Sequence, residues 1–508
     1  MKDTKAVIQT GYVSRILLVF NVIMAFIYFS WWLNLDHVGN VVFYSLLLFG
    51  EFYHMIMALM FWFTLWPIED SKSKLDMSLK NYQPTVDILI PTAGEPVEIV
   101  RETVRAARNL NYTNHRVFVC NDGYVAKKEN WEEYEKMAKE EGVTCFTRKV
   151  GGGYKAGNLN RTLEKTDGEI VVIFDADMVA HNDFLEKTVP YFKDKKIGFV
   201  QSPQYYHNQD LNSITGGSWE QQALFFGPIM RGKEKDNAAF ICGTNVAIRR
   251  SALMEAGGMC EDNIAEDFLT SLSIHQNGWK SYYVSEVLCE GYAPEDLLSY
   301  YKQQLRWARG SLEVLFGDNP LFKKGLTFAQ KTQYLSSGLY YFNGLIVFID
   351  AIIPIISLIF GVQPVAGTTT SFAFYFLPFM FLNLYTLYLS TEQTVTFRAI
   401  SFSMASWWLQ IQALVSVVFK QKLAFAVTPK QAQTGNFLFL SYPHLIYAGF
   451  IIVGAIIAIN REGLTPSVIT NITWGLFNVI MFMPFILASY NWKGIFAKKN
   501  KLNQLSTV

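Results

Sequence analysis

The chain has 508 residues, a length that predicts about three domain-sized units rather than one hydrophobic core. Hydrophobic residues make up 51% of the chain and charged residues only 17%, which excludes a purely soluble protein and indicates a membrane-embedded part. The formal net charge of +1 gives no reason to expect nucleic acid as a partner.

Two apolar runs open the chain, at residues 15–32 and 41–66, and each is long enough to cross a membrane as a helix. A cleavable signal peptide is the alternative for the first run, but Trp31 and Trp32 are bulky where a cleavage site requires small residues. Lysines before the first run and after the second predict that the N-terminus and the following region both lie in the cytoplasm.

From Thr85 onward, strand and helix patterns alternate, which is typical of a mostly parallel sheet with helices on both faces. The strand patterns cover residues 86–90, 117–120 and 170–174, and a helical pattern covers 98–110. Polar residues follow each strand. Because the carboxyl ends of parallel strands meet at one edge of a sheet, we expect a nucleotide pocket there.

The third strand ends at Asp175 and Asp177. Carboxylates at this edge suit Mg²⁺ or Mn²⁺, since such an ion is usually held by one or two carboxylates together with phosphate oxygens of a substrate. The pattern therefore predicts a metal-assisted nucleotide-diphosphate site. A solvated acidic loop is the alternative for so short a motif.

A run of three glycines, residues 151–153, precedes Lys155 and opens a helical pattern. Glycines allow the backbone to approach a ligand closely, and a lysine near a helix start is well placed to bind phosphate. The segment lacks the Lys-Ser/Thr ending of a P-loop, and a flexible loop is the alternative.

A later helix begins at Glu266 and Asp267, and acidic residues in a first turn are ordinary partners of the helix dipole. The next helix places Gln303, Arg306 and Trp307 opposite its leucine stripe. This pattern predicts a site-facing surface, with a partner-contact face as the alternative.

Apolar runs return after residue 322. They bring the total to about six predicted spans, with both chain termini in the cytoplasm. Residues 394–420 mix serines and Arg398 with two tryptophans, a pattern that predicts a segment at the membrane interface. The five cysteines all lie in the middle region without metal-ligand spacing, which predicts free thiols in a reducing compartment.

In this order, the motifs resemble those of the processive, inverting family-2 glycosyltransferases, specifically the bacterial cellulose-synthase-like β-glucan synthases. The resemblance implies a cytosolic α/β domain with a GT-A-like, mostly parallel sheet, inserted between transmembrane α-helices. The matching segments are Asp122, Lys155-Ala156-Gly157-Asn158, Asp175-Ala176-Asp177, Gln201-Ser202-Pro203, Phe240-Ile241-Cys242-Gly243-Thr244, Glu266-Asp267, Gln303-Gln304-Leu305-Arg306-Trp307 and Phe425-Ala426-Val427-Thr428-Pro429-Lys430.

The resemblance also implies a role for individual residues. Asp267 would be the general base, a role for which one carboxylate near its ordinary pKa suffices. Asp175 and Asp177 would hold Mg²⁺ or Mn²⁺. The UDP-sugar donor would be bound by Thr92, Glu95, Asp122, Lys155, Asp175, Arg306, Thr428 and Lys430. The acceptor would be bound by Cys242, Glu266 and Trp307. A gating loop would include Phe425, Val427, Thr428 and Lys430.

The implied organisation is two transmembrane helices in 1–83, a cytosolic glycosyltransferase domain with interface helices in 84–325, and four transmembrane helices in 326–508 with an interface helix and a gating loop at 420–434. The implied activity is polymerisation of glucose from UDP-glucose into a β-1,4 or mixed 1,3/1,4 glucan and its secretion across the plasma membrane. Expected partners are the growing polysaccharide, the lipid membrane and accessory secretion or cell-envelope subunits.

The chain departs from the family pattern at two positions. Ala265 stands where the family usually has threonine, and Asn121 stands where it usually has aspartate. The first change leaves the linkage and the acceptor geometry open. The roughly 20 residues after the last predicted span leave no room for the cyclic-di-GMP-binding domain of many cellulose synthases.

Several other functions compete with a glucan synthase. A transferase that adds one sugar to a lipid carrier has no use for Trp307 or for a gating loop. A non-catalytic scaffold or channel would not be expected to retain Asp122, Asp175, Asp177 and Asp267. Synthases of chitin, hyaluronan or a curdlan-type 1,3-glucan share much of the core, although the 425–430 segment favours glucans.

Overall fold

The computed structural model describes residues 11–66, 77–79, 81–421 and 435–490. The chain begins with two long helices, α1 (Arg15–Trp32) and α2 (Val41–Leu65). Each starts at a polar cap: Ser14 Oγ accepts a hydrogen bond from the Leu17 amide, and Asn40 Oδ1 accepts one from the Phe43 amide. Such caps satisfy amides that lack a partner within the helix.

The middle of the chain contains ten strands. They are β1 (Val86–Thr92), β2 (His115–Asn121), β3 (Thr144–Thr147), β4 (Ile170–Ile173), β5 (Val179–Ala180), β6 (Ile197–Gln201), β7 (Tyr205–Tyr206), β8 (Val246–Arg249), β9 (Lys280–Tyr283) and β10 (Cys289–Gly291). Seven of them form one sheet in the order β3-β2-β1-β4-β8-β6-β9, and β5-β10-β7 form a small second sheet. Within the larger sheet, only β8 runs antiparallel to its neighbours.

Nine helices accompany these strands. They are α3 (Val97–Arg108), α4 (Trp131–Glu140), α5 (Tyr154–Leu163), α6 (Phe184–Thr188), α7 (Ser213–Leu224), α8 (Met230–Lys235), α9 (Arg250–Glu255), α10 (Glu266–Gln276) and α11 (Leu297–Gly317). Successive side chains of β1 enter different cores, since Ile88 and Ile90 pack with α3 on one face while Leu89 packs with α5 on the other. Burial on both faces explains the nearly continuous apolar runs of these strands.

The remaining described helices are α12 (Phe328–Leu339), α13 (Asn343–Phe360), α14 (Thr369–Ser390), α15 (Phe397–Ala405), α16 (Trp407–Val418), α17 (Tyr442–Glu462) and α18 (Pro466–Ala488). In the part of the chain that the structure describes, six helical segments are long and apolar enough to cross a membrane. They are Arg15–Trp32, Val41–Leu65, Phe328–Phe360, Thr369–Ser390, Leu438–Glu462 and Pro466–Ala488. The chain is therefore a membrane protein.

The predicted fold class is confirmed: a mostly parallel α/β sheet stands between groups of apolar helices. The sequence patterns located β1, β2 and β4, although β1 and β2 each extend further than predicted. Residues 394–420 form α15 and α16, neither of which is among the candidate spans. The expected gating loop, with Phe425, Val427, Thr428 and Lys430, lies outside the described residues. All five cysteines are free thiols.

Candidate active site

One cavity of about 1440 Å³ joins the edge of the sheet to the membrane helices. Side chains at the carboxyl ends of β1, β2 and β4 line it, among them Thr92, Asp122 and Asp175. Residues of α2, α12, α13 and α15 line it as well, including Thr64 and Ser403. A ligand at the sheet edge and a polymer between the helices would therefore share one continuous space.

The parallel register brings the first two strand ends together. Thr92 pairs with Asn121 across β1 and β2, and the Asp122 amide donates a hydrogen bond of 2.8 Å to the Thr92 carbonyl. Glu95 folds back over this turn, where its carboxylate accepts a hydrogen bond of 2.7 Å from the Ala93 amide. Both Thr92 and Glu95 line the cavity.

Asn121, where the family usually has aspartate, holds the end of β2 in place. Its Nδ2 donates hydrogen bonds of 2.9 Å to the Trp131 carbonyl and 3.1 Å to Thr147 Oγ1. An ionised aspartate has no donor for either bond. The departure from the family pattern at this position is therefore matched by local contacts.

Asp122 forms a two-pronged ion pair with Arg148, with Nε–Oδ1 and Nη2–Oδ2 distances of 2.6 and 2.5 Å. Burial raises the pKa of Asp122, and the Arg148 charge works against that shift. Arg148 also donates a hydrogen bond to the Tyr154 carbonyl. No sequence pattern indicated Arg148, because β3, which precedes it, is too short and too polar to show as a strand pattern.

Lys155 stands in the first turn of α5, where Gly153 precedes the helix with a φ of +66° that favours glycine. Its ammonium group forms an ion pair with Asp175 and donates a hydrogen bond of 2.7 Å to the Gly243 carbonyl. Burial opposes its charge, but the carboxylates of Asp175, Glu266 and Asp267 raise the pKa of Lys155 overall. Lys155 thus connects the two acidic groups of the site.

Asp175 and Asp177 both line the cavity, and Asp177 is buried. The Asp175 amide donates a hydrogen bond of 2.8 Å to Thr244 Oγ1, which fixes the turn after β4. These two carboxylates are hard oxygen ligands of the kind that Mg²⁺ and Mn²⁺ bind. Within the described ranges, no group of three or more histidine, cysteine or acidic side chains is arranged to hold a metal. The donor set therefore fits a cation whose other ligands come from a bound diphosphate and water.

Glu266 and Asp267 begin α10 and face the same cavity. Burial and then mutual repulsion raise the pKa of Glu266 to about 7, and burial likewise raises the pKa of Asp267. The charges of Lys155 and Arg306 act in the opposite direction on both carboxyls. The expectation of an ordinary pKa at this position is therefore wrong, because the cavity lies deep in the protein.

Glycine at 243 leaves room for Asp267. A Cβ at this position would lie 3.2 Å from Asp267 Oδ2, and its φ of +80° also favours glycine. The neighbouring Cys242 lines the cavity, and burial raises the pKa of its thiol well above the usual range. The Cys242 amide donates a hydrogen bond of 3.0 Å to Gln201 Oε1. Cys242 therefore presents a neutral thiol to the cavity.

Helix α11 is capped by Asp296, whose carboxylate accepts a hydrogen bond of 2.9 Å from the Ser299 amide. Gln303, Arg306 and Trp307 all line the cavity, as expected for a site-facing surface. On the same helix, a Cβ added at position 310 would lie 2.9 Å from the Ala265 Cβ. Ala265, where the family usually has threonine, therefore sits directly against α11.

Two sequence models match the chain. The one described as glycosyltransferase-like family 2 matches residues 84–310, and the one described as cellulose synthase matches residues 255–504. The UDP-forming cellulose synthase catalytic subunit of Pseudomonas fluorescens is 30% identical over 456 residues, which cover 85% of this chain and 60% of the relative. Its counterpart in Xanthomonas axonopodis is 32% identical over 327 residues, which cover 62% of this chain and 44% of the relative. The chain thus spans about half the length of these relatives.

A solved structure shares the fold. A mannosyltransferase from Pyrobaculum calidifontis, determined in complex with GDP-Man and Mn²⁺, aligns with a TM-score of 0.54 at 18% identity, covering 74% of this chain and 99% of the mannosyltransferase. The sheet, the strand-end carboxylates and the apolar helices define a membrane protein with a GT-A-like glycosyltransferase domain. Within that class, the chain belongs to the cellulose synthase branch of glycosyltransferase family 2.

Proposed function

We propose that this protein polymerises glucose from UDP-glucose into a β-glucan and passes the growing chain across the plasma membrane. One observation carries the proposal: a single cavity contains the strand-end carboxylates, the acidic pair of α10 and the tryptophan of α11, and it continues between membrane helices. The names of the matching relatives favour a cellulose product, and a mixed 1,3/1,4 linkage is the nearest variant.

The donor binds at the edge of the sheet in this proposal. Asp175 and Asp177 would hold Mg²⁺ or Mn²⁺, which when bound supplies positive charge for the leaving diphosphate. Lys155 and Arg306 add fixed positive charge from α5 and α11. The donor pocket is completed by Thr92, Glu95 and Asp122.

Asp267 takes the proton from the acceptor hydroxyl as that oxygen attacks the anomeric carbon. The C–O bond to UDP breaks in the same displacement, so the configuration inverts and an α-linked donor gives a β-linked product. Lys155 lies between Asp175 and the Gly243 carbonyl, beside the candidate base. It therefore stabilises negative charge on both the donor and the acceptor sides.

The acceptor end of the polymer rests on Trp307, with Cys242 and Glu266 beside it. Hydroxyl and amide side chains line the cavity among the membrane helices, including Thr64, Ser337, Tyr340, Asn343 and Ser403. Such groups can replace water around the hydroxyls of a sugar chain. These side chains would contact a polar product where it enters between the helices.

The membrane orientation and the gate are also part of the proposal. The distribution of lysine and arginine supports a cytoplasmic location for residues 84–325 and for both chain termini. Phe425, Val427, Thr428 and Lys430 are proposed to close over the loaded donor, with Thr428 and Lys430 reaching the diphosphate. Accessory secretion or cell-envelope subunits would receive the product outside.

A panel of UDP-sugars tests the assignment of the donor. We expect purified protein in lipid nanodiscs to release UDP from UDP-glucose at least about tenfold faster than from UDP-N-acetylglucosamine or UDP-glucuronic acid, because buried polar groups reject analogues that leave them unpaired. Preference for either of the other donors would replace the glucan with a chitin-like or hyaluronan-like product.

Trp307→Ala is expected to shorten the polymer while leaving UDP affinity nearly unchanged. The indole face buries apolar sugar surface worth on the order of 1 to 2 kcal/mol, and the donor carboxylates lie on other elements. Trp307→Phe keeps an aromatic face and is the matched control. Calorimetry with UDP and carbohydrate gels measure the two effects, and polymer of normal length from Trp307→Ala would reduce this residue to a packing role.

The rate should fall with decreasing pH before the ordinary carboxyl range is reached, because burial raises the pKa of Asp267 and protonation removes the base. The pH profile of kcat/KM should therefore have an acidic limb above the ordinary carboxyl pKa of about 4. Glu266→Gln removes one repelling charge and should move this limb to lower pH. An unchanged limb in that variant would contradict the assignment.

A further inference from the structure

Glu220 of α7 is a buried carboxylate that stands outside the donor and acceptor residues described above. Its Oε2 accepts hydrogen bonds from Thr396 Oγ1 at 2.6 Å, the Ala399 amide at 3.0 Å and the Thr396 amide at 3.2 Å. Its Oε1 accepts hydrogen bonds from Arg398, with Nε at 2.8 Å and Nη2 at 2.5 Å. One side chain of the α/β domain therefore caps the first turn of α15.

Two glycines of α7 allow α7 and α15 to pack close together. A Cβ at Gly216 would lie 2.4 Å from Arg398 Nη1, and a Cβ at Gly217 would lie 2.9 Å from the Phe402 ring. Neither position can take a larger side chain unless α15 or its side chains move. Together, this close packing and the ion pair between Glu220 and the half-exposed Arg398 form the contact between α7 and α15, here called the α7–α15 joint.

Both helices of this joint line the cavity. Helix α7 contributes Gln221 and Gln222, the residues that follow Glu220, and α15 contributes Ile400, Ser403 and Met404. Ser403 Oγ lies 3.0 Å from Tyr340 Oη, a residue of the passage between the membrane helices. The position of α15 relative to α7 thus sets the shape of the cavity on its membrane side.

We propose that Glu220 is a positioning residue that holds α15 against α7 and thereby sets the passage through which the polymer leaves. The role rests on the proposed function, since it needs a polymer to pass. The donor carboxylates follow β4 and do not depend on this joint. Loosening the joint should therefore affect the length of the product more than the binding of the donor.

Three variants test the joint by different routes. Glu220→Gln removes the charge, Arg398→Gln removes only one group of donors, and Gly217→Ala pushes on Phe402 without touching the carboxylate. Gly449→Ala is the matched control, because a Cβ on this α17 glycine meets no atom within 4 Å. Using more than one variant keeps the test decisive if Glu220→Gln folds poorly.

Hydrogen exchange of residues 396–405 and polymer length are measured together with the KM for UDP-glucose. In Glu220→Gln we expect exchange in the first turn of α15 to be about fivefold faster, the effect of losing a helix cap. All three variants should make shorter polymer than Gly449→Ala does. Their KM for UDP-glucose should stay within about twofold of wild type, since the residues proposed to contact the donor are unchanged.

Two results would overturn the positioning role. One is faster exchange with polymer of wild-type length. The other is a loss of polymer and of donor affinity in proportion to a lower melting temperature, as general destabilisation would produce. If the wild-type protein makes no polymer, the proposed function is contradicted and the positioning role with it. Failure of the proposed function is therefore distinguishable from failure of the positioning role alone.

Discussion

Asp267→Asn should lower the rate of sugar transfer by at least about 100-fold, the smaller effect typical of removing a general base. Asparagine has nearly the same shape, and its Oδ1 can still accept the hydrogen bond of 2.8 Å that the Phe268 amide donates to Asp267. It cannot accept a proton from an acceptor hydroxyl. The helix start should therefore survive while the chemistry is lost.

Two measurements separate this loss from a loss of binding. UDP binding by calorimetry should stay within about twofold of wild type, because the groups proposed to bind the diphosphate are unchanged. Glu266→Gln is the matched control, since it changes the adjacent carboxyl and is expected to keep more transfer activity than Asp267→Asn. If Asp267→Asn transfers sugar at a near wild-type rate and Glu266→Gln does not, Glu266 is the base.

Asp177→Asn is expected to reduce turnover at least about 1,000-fold, because a bound cation supplies several kcal/mol of charge stabilisation. Asp177 is buried and is one of two carboxylates at the end of β4, and Asp175 is already paired with Lys155. A neutral amide at 177 would leave a single carboxylate for the ion.

The cation itself gives the second half of this test. Excess EDTA should abolish UDP release by the wild type, and adding Mg²⁺ or Mn²⁺ should restore it. Asp167→Asn is a suitable control, since this aspartate is 86% exposed and forms an ion pair with Arg116 at the surface. Full turnover in EDTA, or wild-type turnover by Asp177→Asn, would contradict a metal-assisted donor site.

Periodicity and strand-end chemistry were enough to predict the class of fold and the edge of the sheet where the acidic residues meet. Buried strands such as β1 and β4 carry continuous apolar runs, so they stand out in the sequence. Strand β3 does not, and Arg148 after it was missed although it pairs directly with Asp122. Short, half-buried strands have no period that distinguishes them from a loop.

Contacts between strands or helices that are distant along the chain could not be predicted from the sequence either. Strand β8 enters the sheet antiparallel between β4 and β6, where it places the Gly243–Thr244 turn against Lys155 and Asp175. The contacts of Glu220 with residues about 180 positions later follow from the same kind of packing. No local pattern specifies such contacts, because they depend on how distant helices dock.

The most direct test of the proposed function is the product made by purified wild-type protein reconstituted in lipid vesicles with UDP-glucose and Mg²⁺. We predict a long polymer that an endo-β-1,4-glucanase degrades, made only while UDP is released in proportion. The polymer should be many sugars long even when only a small fraction of the donor has been consumed, because one cavity holds both the donor site and the passage. A single glucose attached to lipid, or free glucose without polymer, would contradict processive synthesis.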